Sequence, residues 1–179
     1  MNSTVLRALE PDDYLITHSW RLDESTWDSV VGPKRYVSLE TERKWVLTSI
    51  ESHESGKVLR FAICTNQNSD PVGLVTLSDI DLINRSAAVS YMVSPNFRGQ
   101  GLASSALRKV IEHAFSELPL IRISCKILED NLASQALVAK MGMVKEGALR
   151  KAVFKNGEFR NLLCFSILKD EFASDGTAS

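Results

Sequence analysis

The 179-residue chain carries 21 basic and 22 acidic side chains, for a formal net charge of −1, with 44% hydrophobic and 24% charged residues. This composition suits a globular domain with a real core, and the balanced charge offers no global field to recruit nucleic acid or an anionic membrane. A single domain over residues 1–170 with a flexible tail at 171–179 is expected. The opening stretch lacks a secretory signal and no apolar run reaches membrane-spanning length, so a cytoplasmic location is expected too.

In chain order, "STVLRAL" reads as a strand. "EPDDYLITHSWRLDES" reads as a helix, with Pro11 and two acids at its front to suit the helix dipole, and "TWDSVVGPKRY" reads as a loop. "SLETERKWVLTSIESHES" is a second helix with Ser38 as N-cap and Leu39, Trp45, Val46 and Ile50 on its buried face. "LRFAICTN" and "VGLVTLSDIDL" are strands expected to form a hairpin around Asp70-Pro71. "AAVSYMV" is the fourth strand.

After Gly101, apolar residues fall in two adjacent rows: Leu102, Ala106, Val110, Ala114 and Leu118, and Ala103, Leu107, Ile111 and Phe115. That is the core stripe of a helix, and Pro119 stops it. "LIRISCKIL" is a nearly continuous apolar strand, as expected under covering helices. "ASQALVAKMG" is a short helix ended by Gly142. "EGALRKAVF" and "EFRNLLCFSIL" flank Asn156-Gly157, a strong hairpin signal. The order predicts an α+β fold around a mixed sheet. Cys64, Cys125 and Cys164 lie in apolar strand-like runs without a CxxC, and His18, His53 and His113 are scattered, so reduced thiols and no metal site are expected.

The chemistry is concentrated in "SPNFRGQGLASSAL". A strand entering a helix through a Gly-rich loop offers free backbone N–H groups and the positive end of a helix dipole, a seat for phosphate. A P-loop is excluded because Leu102-Ala103 follow Gly101 where Lys-Ser/Thr would be required. A dinucleotide fingerprint is disfavoured because Ser104 stands at the third glycine position and antiparallel strands precede the loop. From these residues alone, a phosphate seat and a tight turn with an exposed arginine both remain open.

Arg98-Gly99-Gln100-Gly101-Leu102-Ala103 resembles the acyl-CoA loop of the GNAT acetyltransferase superfamily, and Asn131-x-x-Ser134 followed by "LVAKMGMVKEG" is similar to that family's second block. The resemblance runs over roughly residues 5 to 170. It is strongest to the branch holding ribosomal-protein alanine, spermidine and aminosugar N-acetyltransferases. It implies a mostly antiparallel sheet of about seven strands with about four helices, splayed in the middle for acetyl-CoA, and no metal. It further implies that the loop from Arg98 through Gly99, Gln100, Gly101, Leu102 and Ala103 to Ser104 holds the pyrophosphate. Tyr91, Met92 and Val93 would pair with the pantetheine arm, and Asn131 and Ser134 would line the opposite wall.

The resemblance implies that relatives often carry a tyrosine acid where this chain has Val138, and that some relatives lacking it use the serine matching Ser134, so Ser134 is expected as the proton donor, with Tyr91 as a weaker candidate. Many also carry a fourth-strand glutamate, absent from "SAAVSYMV". The nearest acids are Asp79, Asp81, Glu129 and Asp130. For the acceptor, Asp23 and Glu24 in "WRLDESTWD", together with Asp79, are the expected substrate-binding residues, although an ordinary polar loop over core tryptophans explains that stretch equally well. A protein amino-terminal alanine or serine is the first expectation. A polyamine or aminosugar, or a non-catalytic acyl-CoA-binding module, is the alternative. The last apolar strand would also permit pairing across a homodimer.

Overall fold

The computed structural model describes residues 4–174. Seven strands form one mixed sheet in the order β1-β2-β3-β4-β5-β7-β6. They are β1 (Thr4–Ala8), β2 (Leu59–Thr65), β3 (Asn68–Asp81), β4 (Ser86–Val93), β5 (Arg122–Leu128), β6 (Val144–Lys155) and β7 (Glu158–Leu168). Every neighbouring pair is antiparallel except β4 and β5, which are parallel. The helices are α1 (Tyr14–Leu22), α2 (Glu24–Ser29), α3 (Leu39–Glu54), α4 (Leu102–Glu117), α5 (Leu132–Lys140) and α6 (Lys169–Ser174).

Alternation along the strands sends residues to two opposite layers. On one face, the α4 stripe of Leu102, Ala106, Leu107, Val110, Ile111, Ala114 and Phe115 packs on Ile63, Val75, Leu77, Val89, Ile123 and Ile167. Leu107 and Ile111 are fully buried, and burial of each is worth roughly 1.5–3 kcal/mol. On the other face, Ala62, Cys64 and Leu74 pack with Leu9 and Trp20, and with the partly buried Ile16, Trp45 and Ile50 from α1 and α3.

Several sequence expectations need correction. The first helix is not continuous: Asp23 leaves helical geometry with φ −82° and ψ 123° and caps α2 by accepting from the Ser25 amide at 2.8 Å, and α2 runs on through residues 26–29, the start of the stretch expected to be a loop. The break is stabilised by the Trp27 indole N–H, which donates to the Arg21 carbonyl at 2.9 Å. Ser38 caps α3 as expected, accepting from the Thr41 amide at 3.1 Å. Leu39, however, is 45% exposed, while Glu42 and Ser49 are buried with Val46.

The β2–β3 turn lies at Asn66-Gln67, and Asp70-Pro71 sits inside β3. Pro71 is accommodated because the register breaks there: Ile63 pairs with Gly73 and Thr65 with Asn68, so no ladder bond requires its missing N–H. Asn156 and Gly157 have φ of 49° and 81°, the left-handed pair that the expected hairpin turn needs. Of the expected tail, Glu171–Ser174 continue α6, and residues 175–179 lie outside the described residues.

Candidate active site

The site begins as a failure of strand pairing. β4 and β5 are in register only at Ser86 with Arg122, Ala87 with Ile123 and Ala88 with Ser124. Beyond that point the two strands run on, to Val93 and Leu128, without pairing to each other. The facing edges therefore hold backbone groups available to an extended ligand. A cleft of about 940 Å³ opens there, lined among others by Tyr91, Met92, Val93, Gly99, Gly101, Ser104, Asn131 and Ser134.

The Gly-rich loop closes one end. Gly99 and Gly101 have φ of 75° and 77°, and a Cβ at either position would meet nothing within 4 Å. The glycines are there for backbone shape and leave a clear space in front of the chain. Among the described residues, the N–H groups of Gly99, Gln100, Gly101, Leu102, Ala103 and Ser104 make no hydrogen bond, and the first carbonyl acceptance of α4 is Gly101 from the Ser105 amide at 3.0 Å. Six consecutive free donors at the positive end of a 16-residue helix form an anion seat. Arg98 departs from its expected part: its amide donates to the Pro95 carbonyl at 3.3 Å. Its guanidinium reaches the Ser25 hydroxyl and carbonyl, both at 3.2 Å, and the Val93 carbonyl at 3.3 Å. The Gln100 side chain turns back to the Asn96 carbonyl at 3.4 Å.

The opposite wall is α5. Its N-cap is Asn131, whose Oδ1 accepts from the Ser134 amide at 3.0 Å and whose side-chain amide donates to the Ser29 carbonyl at 3.4 Å. Ser134 is thus inside the first turn and not the cap, and its hydroxyl has no hydrogen-bond partner among the described residues. The Tyr91 hydroxyl donates to the Ser134 carbonyl at 3.5 Å, and burial pushes the phenol up to about 12. Val138 is fully buried in the core between α5 and the sheet and offers no proton donor. Cys125 lines the cleft, and burial pushes its thiol up to about 12, so it stays protonated and unreactive.

The other end of the cleft lies on the face covered by α1 and α3, where Arg21, Trp45, Arg60, Thr76 and Ser90 line it. Asp28 and Asp130 also line it, and Asp130 pairs with Arg160 at 3.4 Å while Asp28 forms no ion pair among the described residues. The expected acceptor residues fall elsewhere. Asp23 is occupied as the α2 cap, and Glu24 pairs with Lys34 at 2.6 Å on the outside of α2. Asp79 is exposed in the irregular segment between Ser78 and Asp81, where β3 and β4 shift register, and does not line the cleft.

Two contributions went unnoticed in the sequence. Arg60 had a signal: by strand alternation it shares a face with the buried Ala62 and Cys64, an odd position for a guanidinium. Lys155 had none. Its ammonium is buried and donates to the carbonyls of Trp27, Val30 and Gly32, anchoring the segment after α2 to the last hairpin.

Against known families, residues 4–144 match the acetyltransferase (GNAT) domain. The chain belongs to the GNAT acetyltransferase family. It is 31% identical to the SPbeta prophage-derived uncharacterized N-acetyltransferase YokL of Bacillus subtilis, over 93% of this chain and 90% of that one. Among solved structures, it superposes with a TM-score of 0.86 on RimL, the ribosomal L7/L12 alpha-N-protein acetyltransferase in complex with coenzyme A. That match has 25% identity and covers 96% of this chain and 97% of the other. The spermidine N-acetyltransferase of Vibrio cholerae, in complex with CoA and spermine, superposes with a TM-score of 0.85 at 24% identity, over 96% of this chain and 98% of that one, a likeness of fold. The GNAT fold thus accounts for the parted β4 and β5, and the chain is an N-acetyltransferase by family.

Proposed function

We propose that this GNAT protein transfers an acetyl group from acetyl-CoA to the α-amine of a protein amino terminus beginning with alanine or serine. The observation that carries the cofactor half is the row of free amides from Gly99 to Ser104 at the head of α4, opening onto the gap between β4 and β5. These amides fit a pyrophosphate, and the unpaired strand edges fit an extended pantetheine arm. When bound, acetyl-CoA supplies an activated acyl thioester.

The chain's own residues then have defined tasks. Asn131 fixes the first turn of α5, so that the Ser134 hydroxyl is held on the cleft wall as a proton donor. Tyr91 keeps its phenolic proton throughout the physiological range and orients Ser134 through the carbonyl contact. Asp28, without an ion-pair partner among the described residues, takes the proton from the incoming ammonium, directly or through a water. Arg21 and Arg60 at the acceptor end repel a polycation, which favours a peptide amine over spermidine.

The test is thiol release from acetyl-CoA with a panel of peptides beginning with Ala or Ser, a polyamine, an aminosugar and no amine, alongside thermal unfolding with and without acetyl-CoA. Turnover with the peptides and a rise of several degrees in Tm are expected. Turnover confined to the polyamine or aminosugar would overturn the peptide reading. The absence of both turnover and stabilisation would overturn the acetyl-transfer reading as a whole.

A further inference from the structure

Among the described residues, Arg60 is a cation without an anion. It is half-buried on β2, where its Nε donates to the Thr76 hydroxyl at 3.2 Å and one terminal nitrogen to the Ser49 hydroxyl at 2.5 Å. Among the described residues no carboxylate lies within ion-pair distance of it. Its neighbour Arg21 is provided for, with buried Glu42 at 3.2 Å. Both guanidinium groups lie over the same indole, Arg60 at 4.7 Å and Arg21 at 5.2 Å from the centre of the Trp45 ring. Two cations and one carboxylate thus meet at the acceptor end of the cleft. Burial and Arg21 together weaken the hold of Arg60 on its proton, the expected response of a charge lacking a counterion.

Sheet register relates this charge to the site. Arg60 pairs with Thr76, and Thr76 with Ser90, so the three form a row across β2, β3 and β4 that ends beside Tyr91 at the gap. Two strand spacings put the Arg60 and Ser90 backbones about 10 Å apart, a span of about three residues of extended peptide. The stacked, planar guanidinium is preorganised for a carboxylate. The cleft's own carboxylates enter from α2 and from the turn before α5.

We propose that Arg60 recognises a carboxylate on the acceptor, carried by an aspartate or glutamate within the first four residues of the peptide to be acetylated. This deepens the peptide reading above and rests on it. The test compares peptides of the form Ser-Ala-Asp and Ser-Ala-Asn, with the acid also moved to the second and fourth positions, against wild type, Arg60→Lys and Arg60→Gln. Wild type should prefer an acidic peptide by about tenfold or more in kcat/KM, mostly through KM. The preference should persist in part in Arg60→Lys and vanish in Arg60→Gln, where kcat/KM for the acidic peptide falls to that for the neutral one. Equal use of acidic and neutral peptides by wild type would overturn the proposal, as would an equal loss on both in Arg60→Gln.

If no peptide is acetylated, the peptide reading fails on its own, and the role of Arg60 is then read by calorimetry with free glutamate and glutamine. Tighter glutamate binding that Arg60→Gln abolishes would uphold it. Equal binding of the two would overturn it.

Discussion

The Arg98 guanidinium holds Ser25, donating to its hydroxyl and its carbonyl at 3.2 Å each, and so ties the start of the phosphate-type loop to α2. The arginine most conspicuous in the sequence therefore joins the Gly-rich loop to the helix that carries Asp28. Replacing it with methionine should cost about 1 kcal/mol of stability or less, because its bonds are exposed to water. It should also raise the KM for the acceptor more than that for acetyl-CoA. Urea unfolding and two-substrate kinetics check both outcomes, and a selective loss of acetyl-CoA affinity would contradict this role.

Gly101 gives the cleanest test of the anion seat. With φ at 77° and open space within 4 Å of where a Cβ would stand, Gly101→Glu should fold with a strain of about 1–2 kcal/mol. Its bulk and charge should abolish the Tm rise with acetyl-CoA. Gly101→Asn, a residue that tolerates left-handed backbone, separates the strain from the lost binding. Retained stabilisation by acetyl-CoA in the glutamate variant would place the anion elsewhere.

Ser134→Ala removes the free hydroxyl but leaves the Asn131 cap on the backbone amide intact. We expect kcat to drop about 100-fold or more, the lower range for loss of a positioned proton donor, with acetyl-CoA affinity unchanged in equilibrium titration. Tyr91→Phe should have a smaller effect, because its phenol, held up to about 12, is bonded to a backbone carbonyl. The reverse order would make Tyr91 the donor.

If Asp28 takes the ammonium proton, Asp28→Asn should lower kcat/KM at pH 7 by about 100-fold or more. Activity should recover toward pH 9 as free amine becomes abundant. A pH–rate profile parallel to wild type would reassign that task.

The ion pair that joins three strands predicts an acid-sensitive stability. Arg122 on β5 holds Glu146 on β6 at 2.5 Å, and Ser166 on β7 donates to the same carboxylate at 2.8 Å. These bonds, the arginine's first, lower the Glu146 carboxyl to about 2. Because the folded value is depressed, the contribution is complete above the unfolded value of about 4.3 and declines as pH falls toward the folded one. Glu146→Gln should therefore be less stable than wild type at pH 6, with the gap narrowing between pH 4 and pH 2. A constant gap in urea midpoints would show that the pair is not the source.

The features legible in residue order are local ones. The stripe from Leu102 to Phe115 follows from helical periodicity, the Asn156-Gly157 turn from left-handed preference, and the loop at Gly99 and Gly101 from glycine's freedom at positive φ. These are properties of a few neighbouring residues, so order along the chain is enough to read them. The same local rules failed at Asp70-Pro71, where a β-bulge absorbed the proline, and at Asp23, which ends the first helix early and caps a second one reaching into the stretch expected to be a loop. Where β4 and β5 part was set by the folded chain, because pairing depends on register between distant segments. Packing also brought Arg21, Trp45 and Arg60 from α1, α3 and β2 to one end of the cleft and left Asp79 outside it. Charge in the sequence is a count; whether a guanidinium has a counterion depends on which elements pack around it, so alternation could mark the position of Arg60 but only the packing showed its lack of an ion-pair partner among the described residues.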